Sequence, residues 1–93
     1  MPVTMENKCG LILGVANERS IAWGISKVLS DSGAEIALSY QNENLLKRVG
    51  PLAESVDAKI CMLADVQNED SLDKLFEEIY NKWGKLDFLV HAL

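Results

Sequence analysis

The residues best suited to chemistry lie near the start of the chain, in the stretch LILGVANERSIAWGISKVL (residues 11–29). Gly14, Ala16 and Ser20 occupy the turn between an apolar run and a helical pattern that starts at Ile21. The N–H groups and positive dipole of a helix N-terminus bind phosphate, and small residues let the backbone approach it. The Ser20 hydroxyl can donate to a phosphate oxygen or cap the helix. The turn therefore indicates a pyrophosphate site, with an ordinary capped turn as the alternative.

Two further strand ends carry side chains that suit the adenosine half of a dinucleotide. Gln41 follows the second apolar run, where an acidic residue would hold ribose hydroxyls and an arginine would hold a 2′-phosphate. Its neutral amide can bond the ribose but provides no charge for a 2′-phosphate. Asp65 can accept a hydrogen bond from the adenine amino group, while Val66 packs against the ring. Each residue has an ordinary alternative as a solvated turn residue, a helix cap or an Asx turn.

Four short apolar runs alternate with helical patterns along the chain. The runs predict strands within 8–14, 34–40, 59–64 and 86–93, and apolar residues at helical spacing predict helices within 21–32, 41–56 and 68–85. Asn68 is the expected N-cap of the third helix, where Glu69 and Asp70 complement the helix dipole. Gly50-Pro51 is expected to kink or split the second helix.

Strands that are apolar on both faces and alternate with helices are typical of a parallel sheet covered on both sides. Right-handed crossovers with a reversal after the third strand predict an α/β, doubly wound, Rossmann-like βαβαβαβ fold with strand order 3-2-1-4. Residues 1–93 are interpreted as the N-terminal part of one Rossmann domain. This order brings the Gly14 turn, the ends of strands two and three, and His91-Ala92-Leu93 to one crevice. A lone histidine such as His91 is read as structural.

Composition and charge argue against several functions. A net charge of −5 and a pI near 4.7 disfavour nucleic-acid binding, because Lys47-Arg48 is the nearest approach to a basic cluster. No apolar run approaches the roughly 20 residues that span a bilayer, so we expect a cytoplasmic protein without a membrane partner. Cys9 and Cys61 are expected to be reduced core thiols, since their strands lie too far apart for a disulfide. No cluster has metal-ligand spacing.

The segments GVANERSIAWGI, LSYQNE, ADV and FLVHA together resemble the bacterial enoyl-acyl-carrier-protein reductases, a divergent branch of the short-chain dehydrogenase/reductase family. The most specific segment is the first turn. Ordinary members of the wider family carry TGxxxGIG, whereas this branch has a glycine, five residues and then Ser-Ile-Ala-x-Gly, as residues 14–24 do here. The threonine usual before the glycine is replaced by Leu13.

The resemblance implies NADH-dependent reduction of the trans-2 double bond of an acyl chain on acyl carrier protein, by a homotetramer active in fatty-acid biosynthesis. NADPH is less favoured, because relatives that prefer it tend to have basic residues at the Gln41-Asn42 positions. In that family the positions around the cofactor match Gly14, Ala16, Ser20 and Ile21 at the pyrophosphate, Gln41 at the ribose, Asp65 and Val66 at the adenine, and Ala92 and Leu93 beside the cofactor.

The resemblance assigns no catalytic residue to this chain. The family's Tyr-x6-Lys pair lies on a long helix further along, so Tyr40 and Lys47, which share that spacing across a strand end, are treated as a chance match. The chain is therefore expected to be inactive alone. Two alternatives stay open, namely another short-chain dehydrogenase such as a 3-oxoacyl-carrier-protein reductase, and a non-catalytic nucleotide-binding module.

Overall fold

A four-stranded parallel sheet forms the centre of the chain, with strand order β3-β2-β1-β4. The structure is a computed structural model, and it describes residues 5–91. The strands are β1 (Cys9–Leu13), β2 (Glu35–Tyr40), β3 (Ile60–Leu63) and β4 (Phe88–His91). The helices are α1 (Ile21–Asp31), α2 (Leu46–Ser55) and α3 (Glu69–Trp83). The predicted doubly wound α/β fold and its 3-2-1-4 order are confirmed.

Apolar side chains cover both faces of the sheet, as parallel strands require. Alternate residues of each strand point to opposite faces, so β1 contributes Ile12 to one core and Leu11 to the other. The core under α1 and α2 also contains Val15, Ala22, Trp23, Ala34, Ile36, Leu38, Tyr40, Val49 and Ala53. The core under α3 also contains Leu13, Ala37, Ile60, Ala64, Leu75 and Ile79.

The second helix differs from the prediction. Its first turn is a separate 3-10 segment, Glu43–Leu45, and α2 then runs through Gly50-Pro51 without a break. A split at Pro51 is therefore wrong, while the kink that was its alternative stays a prediction. Proline removes the hydrogen bond that its N–H would have made to the Lys47 carbonyl, and its ring crowds that carbonyl. Lys47 and Pro51 are both exposed, so water can satisfy the carbonyl. Gly50 also reduces the clash that proline imposes on the residue before it.

The third helix begins and ends as its sequence predicts. The Asn68 side chain accepts a hydrogen bond from the Ser71 N–H at 3.3 Å, which confirms the N-cap. Gly84 follows the helix in the left-handed region with φ of 70°, a conformation that glycine adopts without strain. Cys9 and Cys61 are free thiols on strands that β2 separates. Cys9 is buried as expected, whereas Cys61 is only partly buried.

Close packing and hydrogen bonds join β4 to β1. A Cβ at Gly10 would overlap the ring of Phe88, so only glycine fits beneath that ring. The Cys9 N–H donates to Asp87 Oδ2 at 2.7 Å, and the Asp87 N–H donates to the Cys9 carbonyl at 2.8 Å. Lys85 lies 3.2 Å from the same carboxylate. These hydrogen bonds, the Cys9 N–H foremost, hold the pKa of Asp87 below its usual value.

Candidate dinucleotide site

The Gly14 turn leaves β1 at the carboxyl edge of the sheet, beside the end of β2. Gly14 has φ of 90°, which side-chain-bearing residues rarely adopt. The next N–H group, that of Val15, donates to the Ser39 carbonyl on β2 at 3.0 Å. This bond fixes the turn against the neighbouring strand and leaves Ala16 partly exposed at the edge. The first predicted pyrophosphate position is thus a tight turn held by two strands.

Asn17 and Ser20 organise the turn into a helix start. The Asn17 side-chain oxygen accepts from the Arg19 N–H at 2.8 Å, and the Asn17 carbonyl accepts from both the Ser20 N–H (3.1 Å) and the Ser20 hydroxyl (2.8 Å). The Ser20 oxygen in turn accepts from the Trp23 N–H at 3.2 Å, which makes Ser20 the N-cap of α1. Sequence reasoning overlooked Asn17, although an asparagine three residues before a serine cap is a recognisable turn signal.

The capped helix still offers donors to an anion. The first N–H groups of a helix have no intrahelical partner, and here these belong to Ile21 and Ala22. No acidic residue occupies the first turn of α1, so the positive end of its dipole is not neutralised there. Ile21 is 78% exposed, which keeps this end open. The arrangement fits a phosphate group, whether the Ser20 hydroxyl keeps its bond to Asn17 or turns toward the ligand.

The end of β2 lies beside both neighbouring turns. The Tyr40 carbonyl accepts from the Ala64 N–H at 2.9 Å, which brings the end of β3 against it. Gln41 follows as an exposed residue next to these turns. Burial is the main cause that raises the pKa of the Tyr40 phenol, with Cys61 and Glu43 adding to it. Tyr40 ends β2 and Lys47 lies on α2, so the two residues do not share one helix, which agrees with reading the Tyr40-x6-Lys47 spacing as chance.

Asp65 forms the Asx turn that was one of its sequence-based alternatives. Its Oδ1 accepts from the Gln67 N–H at 2.9 Å, and its own N–H donates to the Ser71 hydroxyl at 3.1 Å. Within residues 5–91, the other carboxylate oxygen, Oδ2, has no hydrogen-bond partner and remains available to an adenine amino group. Val66 follows with 37% of its surface exposed, at the same edge. The turn geometry and the adenine role are therefore compatible.

Two arginines line one cleft beside the turn, and the sequence alone does not connect them. Arg19 from the turn and Arg48 from α2 line a cleft of about 390 Å³, together with Asn17 and Glu18. In the sequence Arg48 was noted only as a neighbour of Lys47. No spacing rule joins residues so far apart in the chain, so only the packing of α2 against the sheet reveals the pair.

The remaining predicted positions contribute less to this edge. His91 ends β4 opposite Leu13 and is exposed, and Ala92 and Leu93 lie outside the described residues. Within residues 5–91, no three His, Cys, Asp or Glu side chains gather where they could hold a metal ion. Every helix in that range is too short or too polar to cross a bilayer. Site residues from three of the four strand ends therefore converge at one edge.

Comparison with known proteins identifies relatives over nearly the whole chain. A family model described as enoyl-(acyl carrier protein) reductase matches residues 14–93. Enoyl-[acyl-carrier-protein] reductase [NADH] 1 of Rhizobium meliloti (strain 1021) is 51% identical over 89 residues, which are 96% of this chain and 33% of that protein. The corresponding FabI of Rickettsia bellii (strain RML369-C) is 44% identical over 96% of this chain and 34% of its own.

Solved structures give the same result. Enoyl-(acyl-carrier-protein) reductase from Anaplasma phagocytophilum in complex with NAD matches with a TM-score of 0.86 and 48% identity, covering 91% of this chain and 32% of that one. FabI from Candidatus Liberibacter asiaticus matches with a TM-score of 0.91 and 49% identity, covering 98% and 35%. The chain thus spans about a third of the length of these relatives. Its sequence and its fold both show that this chain belongs to the enoyl-(acyl-carrier-protein) reductase family.

Proposed function

We propose that the protein containing this chain is an NADH-dependent enoyl-acyl-carrier-protein reductase, and that residues 1–93 form the N-terminal part of an NAD-binding Rossmann domain. The observation that best supports this proposal is the structure at the start of α1. The Gly14 turn leads to the Ser20 cap, and no acidic residue lies in the first turn, so backbone N–H donors remain available to an anion at the edge of the sheet. Relatives that are 51% and 44% identical over 96% of this chain carry NADH in their names, and a similar structure was solved in complex with NAD.

Each predicted site residue has a role in holding the cofactor. The N–H groups of Ile21 and Ala22 bind the pyrophosphate, and Gly14 and Ala16 keep side chains out of its path. The Ser20 hydroxyl donates to a phosphate oxygen once it releases the Asn17 carbonyl. Bound NADH supplies the hydride that reduces the double bond. This chain orients the dinucleotide and supplies no group of its own to the reacting atoms.

The adenosine end is held by residues at the next two strand ends. Gln41 bonds the ribose hydroxyls, Asp65 accepts from the adenine amino group through Oδ2, and Val66 covers the ring. The family resemblance also assigns Ala92 and Leu93 to the cofactor, and both lie outside the described residues. A neutral amide at Gln41 favours NADH, because a 2′-phosphate would find no positive charge on that side chain.

The remaining parts of the proposal follow from the same family. The substrate is a trans-2-enoyl chain carried on acyl carrier protein, and the enzyme is a cytoplasmic homotetramer. The relatives' names, which specify acyl-carrier-protein substrates, support the first part. The catalytic tyrosine and lysine are expected outside residues 1–93.

The test uses the protein expressed from the complete coding sequence. With an enoyl thioester of acyl carrier protein as substrate, we expect NADH to be oxidised and the double bond, not a ketone, to be reduced. Activity on a 3-oxoacyl thioester alone would identify a different reductase. NADH binding without any turnover would instead indicate a nucleotide-binding module.

A further inference from the structure

The cleft between Arg19 and Arg48 carries more positive charge than the predicted site uses. Arg19 and Arg48 both line it, together with Glu18, so two positive charges and one negative charge border the cleft. Within residues 5–91, the ion pairs are Lys59 with Asp57 and Lys85 with Asp87, so neither arginine is in one. Both side chains are exposed, so each is free to reorient toward a ligand.

The position of the cleft indicates which part of a dinucleotide could reach it. One wall is the β1–α1 turn, which is the proposed pyrophosphate site. The other is the first half of α2, which follows directly from the end of β2 and Gln41. In a doubly wound sheet the adenosine ribose lies between these two segments. The cleft is therefore next to the ribose 2′ position.

We infer that Arg48, together with Arg19, acts as a second determinant of cofactor choice by donating hydrogen bonds to a 2′-phosphate. This inference rests on the proposed dinucleotide site. Guanidinium groups bind phosphate with paired, charge-assisted hydrogen bonds, and no other basic side chain lines the cleft. Gln41 sets the preference for NADH, while the two arginines allow NADPH to bind as well. The affinity for NADH therefore exceeds the affinity for NADPH by a smaller factor than the neutral Gln41 alone would predict.

The test compares nucleotide affinities of the protein from the complete coding sequence, measured by calorimetry with NADH, NADPH, ADP and 2′,5′-ADP. Arg48→Gln removes one guanidinium at constant length, and Arg19→Gln removes the other. Lys47→Gln is the matched control, since Lys47 is the neighbouring exposed cation on α2 and does not line the cleft.

For Arg48→Gln we expect binding of NADPH and 2′,5′-ADP to weaken about three- to tenfold, as suits an exposed arginine–phosphate contact, while NADH and ADP change less than twofold. Lys47→Gln should leave the NADH-to-NADPH ratio unchanged. Raising the salt concentration should remove most of the difference between wild type and Arg48→Gln.

Two outcomes separate this inference from the proposed function. If the wild type binds none of the four nucleotides, the dinucleotide site itself is wrong. If the wild type binds NADH and Arg48→Gln leaves the ratio unchanged or weakens all four nucleotides equally, the site stands and the inference is wrong. An equal change in the ratio with Lys47→Gln would also overturn it, because the effect would then be one of general surface charge.

Discussion

Ser20 allows the stability of the turn to be separated from its ligand binding. Its hydroxyl oxygen caps α1 by accepting from the Trp23 N–H, and its hydrogen is donated to the Asn17 carbonyl. Ser20→Ala removes both bonds. Ser20→Asp keeps an acceptor at the cap position but places a negative charge where we propose the pyrophosphate. The two variants should therefore rank in opposite orders for stability and for NADH affinity.

The expected magnitudes follow from these contacts. Loss of a serine N-cap costs about 1 kcal/mol, which lowers the melting temperature of a protein about three times as long as this chain by roughly 2–4 °C or less. Asp is as good a cap as Ser, so Ser20→Asp should melt close to the wild type. Losing one hydrogen bond to a charged phosphate weakens binding by roughly ten- to a hundredfold. Ser20→Asp should weaken NADH further, because it adds charge repulsion.

Thermal unfolding and NADH calorimetry on the protein from the complete coding sequence measure both quantities. Ser32→Ala is the control, since the Ser32 hydroxyl bonds the Val28 carbonyl at the opposite end of α1. It should change NADH affinity less than twofold. The reasoning is refuted if NADH affinity follows melting temperature across the variants, with Ser20→Asp binding better than Ser20→Ala. That result would mean the turn is only a capped helix start.

Three further predictions concern the fold that carries the site. Gly10→Ala should destabilise the protein by about 1–3 kcal/mol in urea unfolding, since its Cβ would overlap the Phe88 ring, and the added substitution Phe88→Leu should recover part of the loss. Burial raises the pKa of Cys9, with Glu35 adding to it, and burial raises that of Cys61, so both thiols should react slowly with iodoacetamide at neutral pH and rapidly in urea. Because the folded pKa of Asp87 is lowered, its stabilisation is complete above the ordinary value of 3.8 and is lost as the pH falls through the folded value. Asp87→Asn should therefore be less stable than the wild type at neutral pH, and unfolding curves of the two should converge in acid.

The strand order and the helix caps could be predicted because they depend on local signals. Short apolar runs between helical patterns leave few topologies once crossovers must be right-handed. Asn68 was recognised as a cap from its place before Glu69 and Asp70, and the structure confirms it. Ser20 was likewise a candidate cap, and it is one.

The features that escaped prediction arise between segments distant in sequence. The Arg19–Arg48 cleft exists because α2 packs beside the first turn. The hydrogen bonds between Cys9 and Asp87 depend on the register of β1 and β4. The sequence predicts a split or a kink at Pro51 because helix propensity treats every interior proline alike. The helix is not split there, and exposure decides how much the missing hydrogen bond costs.

The pairing of β1 with both β2 and β4 has a consequence for how the chain assembles. Strands β1 and β2 are separated in sequence by a single helix, α1, so their pairing joins residues that are close along the chain. The Cys9–Asp87 contact, by comparison, joins residues 78 positions apart. Closing a longer loop costs more chain entropy, and contacts of large sequence separation form slowly. We therefore expect β1, β2 and β3 to associate first and β4 to dock last. During synthesis on the ribosome, the edge of β1 would stay open until almost all of these residues had emerged.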